Sequence, residues 1–102
     1  MKSWQKRYFL LKDNMLVFYK DEKISNMTRP LGVVYVEQCR VYSLDEKTAK
    51  KPHAFEVTNG STVHFRLAAN SDEDAKQWTE SIKRAKKKNI GVETVKQFVL
   101  ED

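Results

Sequence analysis

Residues 4–11 read Trp-Gln-Lys-Arg-Tyr-Phe-Leu-Leu, and no other stretch of the chain constrains its fold as strongly. In an extended strand, successive side chains point to opposite faces. Gln5, Arg7, Phe9 and Leu11 then share one face, and Trp4, Lys6, Tyr8 and Leu10 share the other. One strand therefore carries cationic side chains toward its beginning and apolar ones toward its end. That suits a sheet whose greasy half packs in a core while its basic end opens at a mouth, and a basic mouth on a rigid sheet receives anions. A half-buried strand with solvated Lys6 and Arg7 is the plainer reading of the same residues.

Turn and periodicity signals extend this strand into a sheet. Lys12-Asp13-Asn14 is a tight-turn signal, and residues 15–20 come next as a second strand with Leu16 and Phe18 on the core face, which predicts an antiparallel hairpin. Residues 21–30 are polar and irregular. Residues 31–36 (Leu-Gly-Val-Val-Tyr-Val) are β-branched and read as a strand, 39–43 as a short strand, and 44–52 as a charged loop. Residues 53–58 and 62–68 are strands around Asn59-Gly60, a strong hairpin dipeptide.

The period then becomes helical. Ser71 is a good N-cap, and Asp72, Glu73 and Asp74 place negative charge at the positive end of the helix dipole. Ala75, Trp78, Ile82 and Ala85 form one apolar stripe, and cations from Lys83 to Lys88 sit at the other end. Trp78 is the expected core anchor, covering one opening of the sheet. Short antiparallel strands ahead of one capped helix give an α+β, mainly β order: a curled sheet or partly open barrel.

A chain of 102 residues suits one domain, and 40% hydrophobic with 32% charged residues is the balance of a globular protein. No run approaches the ~20 apolar residues that span a bilayer. The start, Met-Lys-Ser-Trp, lacks the apolar stretch of a secretory signal, and the single Cys39 excludes an intrachain disulfide. A cytoplasmic setting is the expectation. The net charge of +5 admits nucleic acid, acidic proteins and anionic lipid as partners. The aromatic residues face the core rather than interleaving with the basic ones, which argues against nucleic acid. The sequence shows no glycine-rich phosphate loop, metal-spaced cluster or nucleophile elbow. His53 and His64 are expected to satisfy local hydrogen bonds, and Cys39 to pack. The expectation is no enzyme and no cofactor.

The chain resembles a pleckstrin homology (PH) domain. The resemblance rests on residues 4–11, on Asn14-Met15-Leu16-Val17-Phe18-Tyr19, on Leu31-Gly32-Val33-Val34-Tyr35-Val36, on His53-Ala54-Phe55-Glu56-Val57, and on the helix with Trp78. It covers roughly residues 2–88, leaving 89–102 as a tail. It implies a seven-stranded antiparallel β-barrel or sandwich capped at one end by the helix. It also implies a phosphoinositide headgroup at the opposite, basic mouth.

The chain departs from the family pattern in two places. It begins where the family's second strand begins, so the first strand is absent from its N-terminus. That predicts an unpaired edge unless upstream residues, residues 89–102 or another chain supply the partner, the last giving a strand-swapped or paired oligomer. Ile90, Val92, Val95, Phe98, Val99 and Leu100 make the tail apolar enough, although the 92, 95, 99 spacing suits a helix slightly better. The lipid signature is also incomplete. Its arginine maps to Arg7, its earlier basic position is Gln5, and the ring-contacting tyrosine falls at Phe18.

The candidate headgroup residues are therefore Arg7, Lys2, Lys6, Gln5, Phe18 and Lys12. A guanidinium forms paired, charge-assisted hydrogen bonds with phosphate oxygens. Near an acidic leaflet each cation adds about 1 kcal/mol, so Arg7, Lys2, Lys6 and Lys12 together reach only millimolar-range association. Stable recruitment needs a specific grip or a second contact. The leading expectation is a module recruited peripherally to the cytosolic face of membranes through phosphoinositide or anionic lipid. The alternative is a protein-interaction module of the same fold, binding a peptide, a small GTPase or a neighbouring domain.

Overall fold

Two residues, Asp13 and Asn14, turn the first hairpin, and Asp13 adopts a φ of 54°, a left-handed conformation that short polar side chains tolerate. The computed structural model describes residues 4–60, 64–86 and 92–101. In chain order the elements are β1 (Trp4–Lys12), β2 (Met15–Tyr19), β3 (Gly32–Tyr35), a 3-10 turn (Val36–Gln38), β4 (Arg40–Ser43), α1 (Glu46–Ala49), β5 (Ala54–Thr58), β6 (His64–Ala68), α2 (Asp72–Ala85) and β7 (Val92–Glu101). The first residues expected of β6, Thr62 and Val63, and the helix end at Lys87 and Lys88 lie outside the described residues.

The strands run β3-β2-β1-β7-β6-β5-β4, each antiparallel to its neighbours. This is the expected mainly β architecture with a helix on one end. Alternation explains the register: Phe9 pairs with Phe18 and Leu11 with Leu16, so the core faces of β1 and β2 coincide.

β7 enters between β1 and β6. It pairs with β1 from Trp4↔Glu101 to Lys12↔Val92, and with β6 from Arg66↔Glu101 to Ala68↔Val99. The bare edge expected beside β1 is therefore occupied, and the backbone through Val92, Val95 and Val99 is extended despite its helical spacing. The sheet instead ends at β3 and β4.

The residues expected to be a charged loop hold α1. The Asp45 side chain accepts the Thr48 N–H at 2.6 Å, and Lys50 ends the turn at a φ of 58°. The hydrogen bonds from Thr48 hold the Asp45 carboxyl below its usual range. In α2, Ser71 caps by accepting the Asp74 N–H at 3.0 Å. The helix packs on β4, the 3-10 turn and β5, and its Trp78, Ile82 and Ala85 belong to one buried cluster with Leu16, Val34, Val36 and Val57. Each large apolar side chain so enclosed contributes roughly 1.5–3 kcal/mol. A smaller cluster of Ala49, Ala54 and Ala68 lies outside the main core, with Trp4 and Leu44 packed on it. Lys51 Nζ stands 5.9 Å from the Trp4 ring centroid.

Candidate functional site

The two ends of the sheet differ because one is covered. α2 packs on β4 and on the 3-10 turn, and Val36 N–H in that turn donates to Asn14 O at 2.9 Å. The β1–β2 turn therefore sits at the helix end, and the Trp4 end of β1 lies at the other, open end.

At the open end, Gln5 and Arg7 continue the inward face of β1 beyond Phe9. Beneath them lies an aromatic floor. Phe9 and Phe18 stack with centroids 5.3 Å apart, and Phe18 meets Phe65 edge-on at 5.5 Å. Gly32 pairs with Phe18, and a Cβ at Gly32 would sit 2.5 Å from the Phe18 ring. Only glycine lets the backbone lie against that ring, so Gly32 helps set the floor's height. Arg7 is half-buried, and its Nη1 donates to Lys6 O at 2.7 Å. That bond ties the guanidinium to the backbone of its own strand.

The predicted site residues separate on this frame. Gln5 and Arg7 come together. Lys6 is at the same end but on the outward face, because alternation turns it away from Arg7. Lys12 is corrected: it pairs with Met15 at the helix end, roughly 17 Å from Arg7 along the strand, so it cannot share a headgroup with it. Phe18 is also corrected. It is only 8% exposed and is floor rather than a contact on the rim. Lys2 lies outside the described residues. One cation was missed: Tyr8 pairs with Tyr19, and the register continued by one step sets exposed Lys20 opposite Arg7. Its position as the last residue of the predicted second strand, on the face of Leu16 and Phe18, was the available signal.

The histidines serve local structure. His53 Nδ1 lies 2.6 Å from Asp72 Oδ1, joining the start of β5 to the N-terminus of α2. His64 Nε2 lies 2.9 Å from Glu56 Oε1, which Arg66 Nε also reaches at 3.4 Å. Cys39 is buried, its Sγ donates to Tyr35 O at 3.5 Å, and burial pushes its thiol pKa up. Among the described residues no group of three His, Cys, Asp or Glu is placed to hold a metal, and no helix is long and apolar enough to cross a membrane. A separate groove of about 470 Å³ runs between β4 and α2, lined by Arg40, Val41, Tyr42, Lys83 and Lys86.

Comparison with known proteins agrees with this geometry. The sequence matches the family model of the PH domain over residues 1–87. It is 33% identical over 87 residues to pleckstrin homology domain-containing protein 1 of Arabidopsis thaliana, covering 83% of this chain and 59% of that protein. In other curated relatives it spans a quarter of the length or less, 17% and 13% in two of them. The fold is similar to the carboxyl-terminal PH domain of pleckstrin, with a TM-score of 0.65, 23% identity, and 85% of this chain and 95% of that one covered. A structure of the pleckstrin C-terminal PH domain in complex with an inositol pentakisphosphate superposes with a TM-score of 0.60 at 22% identity, covering 83% of this chain and 95% of that one.

Proposed function

This chain belongs to the PH domain family, and on that footing we propose that it is a membrane-targeting module of a larger protein, binding phosphoinositide or other anionic lipid headgroups at its open end. The observation that carries the reading is Arg7: a guanidinium on the inward face of β1, above an aromatic floor, at the end that no helix covers among the described residues. Lys20 across the rim supplies a second cation, and Lys6 a third on the outward side. The same fold in pleckstrin has been solved with an inositol pentakisphosphate, which makes a multiply phosphorylated headgroup the natural ligand class to test.

The magnitudes set the expected strength. Three cations near an acidic leaflet add about 3 kcal/mol, so charge alone gives transient contact. Selectivity has to come from paired hydrogen bonds between Arg7 and phosphate. Gln5 stands where the signature has a base, which limits the expected affinity to a modest level. The role is binding and recruitment on the cytosolic face, not catalysis.

Vesicle sedimentation with and without phosphoinositide tests this. Arg7→Ala should weaken binding to phosphoinositide vesicles about tenfold, the loss of one charge-assisted contact, without lowering stability. Equal binding by both proteins to both kinds of vesicle rejects the reading.

A second reading, protein interaction, is favoured by one observation: the groove beside the free edge of β4 is lined by three cations and no carboxylate. Leu44 N–H donates to Ala54 O, so in an antiparallel ladder the backbone groups of Val41 and Ser43 turn toward that free edge. A partner captured through this edge would survive Arg7→Ala and be lost on reversing Arg40 and Lys83.

A further inference from the structure

The loop between β2 and β3 reads as polar, yet it displays the most exposed large apolar side chain among the described residues: Met27, 88% exposed. Its root is at the open end, since β2 leaves the sheet beside Arg7 and Leu31 N–H returns to Phe18 O at 2.8 Å. Its tip is a hydrogen-bonded turn. Thr28 N–H donates to Ser25 O at 3.1 Å, Ser25 N–H to Thr28 Oγ1 at 2.9 Å, and Met27 N–H to Ser25 Oγ at 3.2 Å. Lower in the loop, Ile24 N–H donates to Glu22 O and Lys23 N–H to Asp21 Oδ1, each at 2.9 Å. These bonds fix a turn whose apex holds a thioether in water, where it gains nothing from burial.

We propose that the turn at residues 25–28 is a membrane wedge. Met27, with Ile24 behind it, enters the headgroup–acyl boundary of an anionic leaflet as the open end docks, a step that rests on the lipid-binding reading above. Charge placement favours a bilayer as the occupant. The charged residues nearest Met27 in the chain are exposed Lys23 and Arg29, one on each side, and exposed Lys20 adds a cation at the loop's root beyond Asp21 and Glu22. Size points the same way. One methionine and a part-exposed isoleucine fall far short of the ~800 Å² per partner of a stable protein interface, whereas a bilayer boundary accepts a single apolar tip beside cations. Of the other exposed apolar residues, Leu31 stands at the root of this loop, Val33 and Tyr35 run down β3 away from the open end, and Tyr42 lies on β4, so these last three take no part.

The test compares phosphatidylcholine vesicles containing phosphatidylinositol bisphosphate with free inositol trisphosphate, using the whole chain. Met27→Ser should weaken vesicle binding about tenfold and leave inositol trisphosphate binding unchanged, because only the vesicle offers an apolar phase. A dye at Met27→Cys, in a Cys39→Ser background, should shift to the blue on vesicles and not with inositol trisphosphate. Val33→Ser should change neither. If Met27→Ser binds vesicles as wild type does while Arg7→Ala does not, the wedge is overturned and the headgroup site stands. If Met27→Ser weakens both ligands equally, the residue acts through the site and the wedge is again overturned. If wild type binds neither ligand, the lipid reading itself falls.

Discussion

The two ends of this sheet are built from similar materials and come to opposite states. At the helix end, Leu11, Leu16, Val34 and Val36 share a cluster with Trp78, Ile82 and Ala85, all nearly inaccessible to solvent. At the other end, Phe9, Phe18 and Phe65 form an equally apolar layer, but above it stand Gln5 and Arg7 rather than a helix. The difference lies in the segment that leaves each strand end. Residues after β6 are a capped amphipathic helix long enough to cover an opening. Residues after β2 are a polar turn that projects outward. A core closed on one side and merely roofed by polar groups on the other separates stability from recognition, because binding groups can change without opening the core.

That separation can be broken from either side. The largest effect belongs to Trp78→Ala. Emptying the indole's place should cost about 3–5 kcal/mol, read as a lower urea midpoint, while the folded fraction keeps its affinity for inositol trisphosphate. An equal loss of affinity would show that the two ends are coupled. Gly32→Ala probes the boundary between the two states. Its Cβ would force the Phe18 ring to move, so about 1–3 kcal/mol of stability should go, together with some headgroup affinity, since the floor under Arg7 shifts. Arg7→Ala should do the reverse of Trp78→Ala: weaker vesicle binding and an unchanged midpoint. The smallest effect concerns Cys39. Its thiol is pushed up by burial, with Lys86 opposing, so folding favours the protonated form. Its contribution to stability is complete below the free thiol's ordinary value of 9.0 and declines as the pH rises past it toward the higher folded value. Cys39→Ser should flatten that alkaline decline, seen in midpoints measured across the range.

Most of the sheet could be read from local pattern, and the reasons for the exceptions are specific. The β1–β2 hairpin and α2 announce themselves because turn residues, alternation and capping all act within a few positions. Helix α1 was hidden because its charges resemble a loop, and only the Asp45–Thr48 cap distinguishes it. The tail's 92, 95, 99 spacing favours a helix locally, but a vacant edge on β1 is a stronger, non-local demand. Within the candidate site, Gln5 and Arg7 were legible from strand alternation. Lys12 misled because closeness in sequence becomes distance along an extended strand. Lys20 could have been read from the same alternation, since it shares a face with Leu16 and Phe18 at the end of the predicted strand. Met27 was passed over because a polar, irregular segment carries no periodicity from which to infer where its side chains point.

The placement of β7 also bears on how the molecule comes into being. Trp4 must find Glu101, almost the full length of a 102-residue chain away, before β1 and β6 are joined. A pairing so remote is entropically slow to form, and during synthesis it has to wait until every element between the two strands has left the ribosome. Until then the strands built on β1 and those built on β6 lack the strand that bridges them. The helix and the hairpins therefore form first, and the arrival of β7 should be the slowest step of folding, because it alone closes so long a loop.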